Sequence, residues 1–153
     1  MKKLGLLLAF VVAFAYNSKA SHISGGDITY TYIGNDQYVI QMNLYYDCTS
    51  SLIMGATQNV TLESASCGQS INLTLDIVLD PLTGENFTDI SQLCEQEIPN
   101  STCNGGTLPG MQMYTYIDTI TFPVACNDWT ASWSTCCRNP TENVPTSTSD
   151  DVY

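Results

Sequence analysis

The chain has 153 residues, four Lys/Arg against fifteen Asp/Glu for a net charge of −11, and seven cysteines. That length suits one domain with a real core. The charge excludes nucleic acid and anionic membrane surfaces as partners, because phosphate binding needs clustered Lys/Arg. A hydrophobic fraction of 44% excludes a disordered acidic tail.

Residues 1–20 read as a secretory signal peptide. Met1-Lys2-Lys3 gives a positive start, Leu4 to Tyr16 is uncharged and apolar, and Ser18 and Ala20 are the small residues that precede a cleavage site. The apolar run is shorter than the roughly 20 residues a membrane helix needs. No later stretch is a candidate span, so the mature chain is expected to be secreted and to lack one. Cleavage removes Lys2, Lys3 and Lys19 but no acid, which leaves Arg138 as the single mature cation. Arg138 is expected to pair with an acid or cap carbonyls, in a structural role.

Residues 21–139 read as one β domain. Ile28, Tyr30 and Tyr32 alternate with Asp27, Thr29 and Thr31, and Tyr38, Ile40, Met42, Leu44 and Tyr46 alternate with Gln41 and Asn43. Such period-2 patterns are half-buried strands, and the Gly34-Asn35-Asp36 cluster between them predicts a hairpin. Further strands are expected over 58–63, 71–79, 113–122 and 130–135. Ile71, Leu73, Leu75 and Ile77 share one face, and Tyr114, Tyr116, Asp118 and Ile120 form a less clean stripe. Only 89–96 suggests a short helix, with Thr88 or Asp89 as cap. Residues 140–153 have a loop or linker composition, then end on the strand formers Val152-Tyr153. The expected fold is therefore all-β, an antiparallel Ig-like sandwich, cut short of its last strands.

In an oxidising compartment Cys48, Cys67, Cys94, Cys103, Cys126, Cys136 and Cys137 are disulfide candidates. An odd count leaves at least one without a partner in this chain. Cys94–Cys103 is a plausible local bridge, whereas Cys136 and Cys137 are adjacent and are expected to reach separate partners. Zinc is not expected, since closely spaced Cys/His pairs are lacking and the lone His22 sits at the mature N-terminus. Calcium has one candidate turn, Asp80 to Glu85 with Asp89, without the spacing of an EF-hand. No catalytic residues are assigned. The chain has no nucleophile elbow or phosphate loop, and scattered acids such as Asp76/Asp80 read as solvated surface.

Trp129 and Trp133 are four apart and share a face if that segment is a strand. They either pack in the core or form a platform for sugar rings. Four N-x-[ST] sequons, at Asn59, Asn72, Asn86 and Asn100, point to exposed positions.

Three strings carry a resemblance. Ser21-His-Ile-Ser-Gly-Gly-Asp-Ile-Thr-Tyr30 with Tyr38-Val-Ile-Gln-Met-Asn-Leu-Tyr-Tyr-Asp-Cys48 resembles the mature N-terminus of a family of large secreted cell-surface proteins of the Bacteroidetes. Cys103-Asn-Gly-Gly-Thr107 with Pro109-Gly110 resembles a later landmark of that family. So does Asn127-Asp-Trp129 followed by Trp133-Ser-Thr-Cys-Cys-Arg-Asn139. The resemblance implies a long protein with PKD or other Ig-like repeats and a gliding-motility-associated or type IX secretion sorting domain. The expected function is a non-enzymatic, adhesive or structural domain that meets a cell-surface protein or glycan. The rival expectation is the carbohydrate-binding module of a polysaccharide-acting enzyme, with Trp129, Trp133 and the tyrosines as contacts and no cofactor beyond the calcium candidate.

Overall fold

The computed structural model describes residues 23–49, 53–135 and 150–152. The signal-peptide segment 1–20, His22, Cys136, Cys137, Arg138 and most of the 140–153 linker lie outside the described residues.

Strands β1 (Ile23–Gly34) and β2 (Gln37–Asp47) form the expected hairpin, with Gly34 opposite Gln37. Asn35 and Asp36, at φ 53° and 58°, make the two-residue connection. Positive φ at both positions gives the turn whose twist matches paired strands, and Asn and Asp tolerate it. The remaining strands are β3 (Thr57–Ser64), β4 (Gln69–Ile77), β5 (Thr88–Asp89), β6 (Met111–Thr121), β7 (Trp129–Thr135) and β8 (Asp150–Val152). All strand pairs are antiparallel, in the order β1-β2-β6-β4-β3-β7-β8, with β5 beside β6.

The fold is all-β and antiparallel, and its two facing layers are the two halves of one curled sheet. β4 meets β6 only through Asp76↔Ile117 and Ile77↔Tyr116. This short seam lets the β1-β2-β6 block bend over the β4-β3-β7 block as a half-barrel. Between the blocks lie Ile40, Met42, Leu44 and Tyr46 of β2 and Tyr114, Tyr116 and Ile120 of β6. Val60, Leu62, Leu75 and Trp133 meet them from the other side. Each such buried side chain contributes about 1.5–3 kcal/mol over its exposed state. Burial holds the Tyr46 phenol far above its ordinary range, with Tyr116 and Tyr114 adding to it. Tyr116 satisfies its own hydroxyl by donating to the Gly55 carbonyl at 2.9 Å.

The outer face of the first block is a polar lattice. Asn43 donates to Asp27 and accepts from Thr115 and Gln41, and the Tyr45 hydroxyl donates to Asp27. Thr, Asn and Gln side chains and the Asp27 carboxylate satisfy one another there.

Two expectations are corrected. Segment 89–96 is no helix: Thr88–Asp89 is a short strand, and the chain then makes 3₁₀ segments at Glu95–Asn100 and Thr102–Asn104. Asp89 caps nothing, because its carboxylate accepts from Ser91 N–H, Ser101 and Asn104. The Cys94–Cys103 bridge is absent as well. Cys103 pairs with Cys48, and Cys94 is exposed and has no partner among the described residues. Register explains it. Asp47 sits opposite Met111, so the Cys48 N–H reaches the Gly110 carbonyl at 3.1 Å. Gly110 itself lies against Cys103, where a Cβ on it would come within 2.7 Å of Sγ.

Candidate functional site

The unclosed side of the half-barrel holds a cleft of about 440 Å³, within the usual range of ligand pockets. Its floor is aliphatic, formed by Ile28, Ile40, Leu62 and Ala131. Its walls are the rings of Tyr30, Tyr38, Phe122 and Trp129, and Asn127 and Thr130 supply polar groups. Strand alternation puts these side chains together: Tyr30 faces Ile40 and Tyr32 faces Tyr38 across β1–β2, while Leu62 faces Ala131 across β3–β7. Phe122 enters just after β6, where its N–H donates to the Asp36 carbonyl of the hairpin turn at 3.1 Å.

The rings form a chain. Tyr32 and Tyr30 meet Tyr38 at 5.1 and 6.2 Å, Tyr38 meets Phe122 edge-on at 5.3 Å, and Phe122 stacks on Trp129 at 4.3 Å. Aromatic pairs at such separations are worth about 0.5–1.5 kcal/mol beyond burial. Tyr30 is nonetheless 74% exposed and Tyr32 57% exposed.

Two devices fix the cleft's β7 wall. The Cys67–Cys126 bridge joins the β3–β4 turn to the β6–β7 loop. Beside it, Asp128 accepts from the hydroxyls of Ser64 and Ser66 and from the Ser66 N–H at 2.8 Å. Ser64 is buried. These donors, Ser64 first, lower the Asp128 carboxyl from its ordinary 3.8 to about 2. A depressed folded-state pKa stabilises the fold above the unfolded value and loses that contribution as pH falls through the folded one. Stability is therefore expected to decline between about pH 4 and pH 2. Asp128→Asn should flatten that decline, as pH-dependent urea midpoints would show; an identical decline in the variant would contradict the assignment.

The two tryptophans share the inner face of β7, as their spacing predicts, but differ in depth. Trp133 is core: it is 6% exposed and its Nε1 donates to Gln58 Oε1 at 3.1 Å. Of the two alternatives, core packing and a sugar platform, this burial fits core packing for Trp133. Trp129 lines the cleft, and its Nε1 is a buried donor with no acceptor among the described residues. Such an unmet donor costs about 1–3 kcal/mol. Of the cleft's remaining aromatic residues, Tyr30 and Tyr38 belong to the tyrosines expected only as a class to meet a sugar, and Phe122 has no signal in the spacing. The period-2 stripe carried Tyr30 and Tyr38 but did not say that they meet Trp129.

The calcium candidate is a hydrogen-bonded turn. Asp80 accepts from Leu82 and Thr83 N–H and from Thr88, and this lowers its pKa, with the Thr88 contact foremost. Asp89 is spent on the Ser91–Asn104 segment, so the two carboxylates serve separate networks. Among the described residues no group of three His, Cys, Asp or Glu converges as a metal site, and no helix is long and apolar enough to cross a membrane. All four sequon asparagines are exposed. Asn59 and Asn72 accept from Thr74 and Thr61 across the β3–β4 ladder.

In comparisons with known proteins, no family model, no curated protein and no solved structure matches the chain.

Proposed function

We propose that this chain is a non-enzymatic, extracellular recognition domain of a cell-surface protein, adhesive in role, whose contact site is the aromatic cleft. The observation that carries the reading is a cleft walled by Tyr30, Tyr38, Phe122 and Trp129 and pinned by the Cys67–Cys126 bridge. Aromatic walls over an aliphatic floor bind by shape and dispersion, and a stapled frame keeps them open without a ligand. Two disulfides that close long stretches of chain suit an oxidising compartment. The signal-peptide pattern and the resemblance to secreted surface proteins support the same location.

A carbohydrate-binding module is the second reading. The observation in its favour is that Asn127 and Thr130 join the rings at the cleft, the mixture of faces and hydrogen-bonding groups that a sugar ring meets. A glycan array run with the oxidised domain separates the two. Binding to defined glycans that disappears in Trp129→Ala favours the module. A silent array, with site-specific crosslinking from Tyr30 to a protein on the intact cell surface, favours the adhesive domain. Failure of both would overturn the assignment of the cleft.

A further inference from the structure

β1 stands at one end of the strand order and, among the described residues, pairs with β2 alone. β8, at the other end, approaches β1 but pairs with β7. The sequence of β1 carries no Lys and no Pro, the residues that usually protect an open edge. Tyr30 and Tyr32 project from the same face as Ile28, which packs on the core, yet both are mostly exposed. Among the described residues, this unpaired edge and the aromatic cleft therefore adjoin. Every charged side chain among the described residues is an acid, so an approaching chain is favoured when it is basic and repelled when it is acidic.

We propose that the cleft-side half of β1, from Ile28 to Ile33, receives an extended strand of a partner polypeptide in which basic residues alternate with apolar ones. Backbone groups of that strand pair with the edge of β1, and its alternate apolar side chains enter between Tyr30, Tyr38 and Trp129. Strand addition divides the work in this way, with the ladder supplying affinity and the pockets supplying selection. The proposal rests on the recognition reading of the cleft and names the partner's chemistry.

The test titrates a short synthetic peptide alternating lysine with valine into the isotope-labelled, oxidised domain and follows the two indole N–H resonances and amide exchange. The expected result is a shift of the Trp129 indole with the Trp133 indole unmoved, and β1 amides that exchange about tenfold more slowly. Tyr30→Lys, on an exposed ring, should weaken the peptide about tenfold. A peptide with serine at the valine positions keeps the charge and should not bind, and neither should one with N-methylated backbone amides. Equal binding of the serine peptide, resonance changes that avoid β1 and Trp129, or no binding at all would overturn strand addition. So would a peptide-free dimer in sedimentation that Tyr30→Lys dissolves, since the occupant would then be a second copy. Glycan binding that survives Tyr30→Lys, alongside a silent peptide titration, would sink strand addition and leave the recognition reading standing.

Discussion

Replacing both Cys67 and Cys126 by Ala is expected to lower stability by about 4 kcal/mol, the chain-entropy value for a bridge of this span. The two residues are 59 apart in sequence, so the reduced unfolded chain regains much freedom. The effect should also reach the site, because Cys126 lines the cleft and the loop it anchors leads into Trp129. Asp128 would still hold Ser64 and Ser66, and these hydrogen bonds would then tie that loop to the β3–β4 turn without the bridge. Urea unfolding of the double variant should show the lowered midpoint, and quenching of Trp129 should show the loosened wall. A midpoint equal to that of the parent would mean that the strand pairings alone set the frame.

The second large effect separates the two tryptophans. Trp133→Ala should cost about 3–5 kcal/mol, the range for a large buried aromatic residue, because it empties the interior opposite β2 and leaves Gln58 without its donor. Trp129→Ala should cost less, since the ring, which stacks on Phe122, is only partly buried. Trp129→Phe keeps a ring against Phe122 and removes the buried donor that lacks an acceptor. Loss of such a donor is neutral or stabilising when shape is kept. Denaturant midpoints for the three variants check the order. A Trp129→Ala cost equal to that of Trp133→Ala would place both rings in the core and remove the cleft wall.

Local alternation made the β1–β2 hairpin legible, because Tyr38 to Tyr46 writes the buried face residue by residue and Asn35-Asp36 names the turn. The strands around Leu62, Leu75 and Tyr116 were legible for the same reason. Whatever depends on which distant segments converge was not. Cys94 and Cys103 are close in sequence, but the β2–β6 register carries Cys48 to Gly110 and so to Cys103. Thr88 and Asp89 resemble a helix cap for 89–96, whereas Asp89 is drawn into bonds with Ser101 and Asn104 and Pro99 falls within the 3₁₀ segment. The spacing of Trp129 and Trp133 gave their common face. It could not give their depths, since those depend on how far the two blocks of the sheet close over each end of β7. The cleft is a property of that curl, set by the two-pair seam between β4 and β6.

The most direct measurement compares the oxidised parent domain with Trp129→Ala, side by side, against a glycan array and the alternating lysine–valine peptide. The account predicts that at least one probe binds the parent and binds the variant about tenfold more weakly, while both proteins show a cooperative unfolding transition. Equal affinity of the two proteins for every probe that binds the parent would contradict the claim that the aromatic cleft is the recognition site.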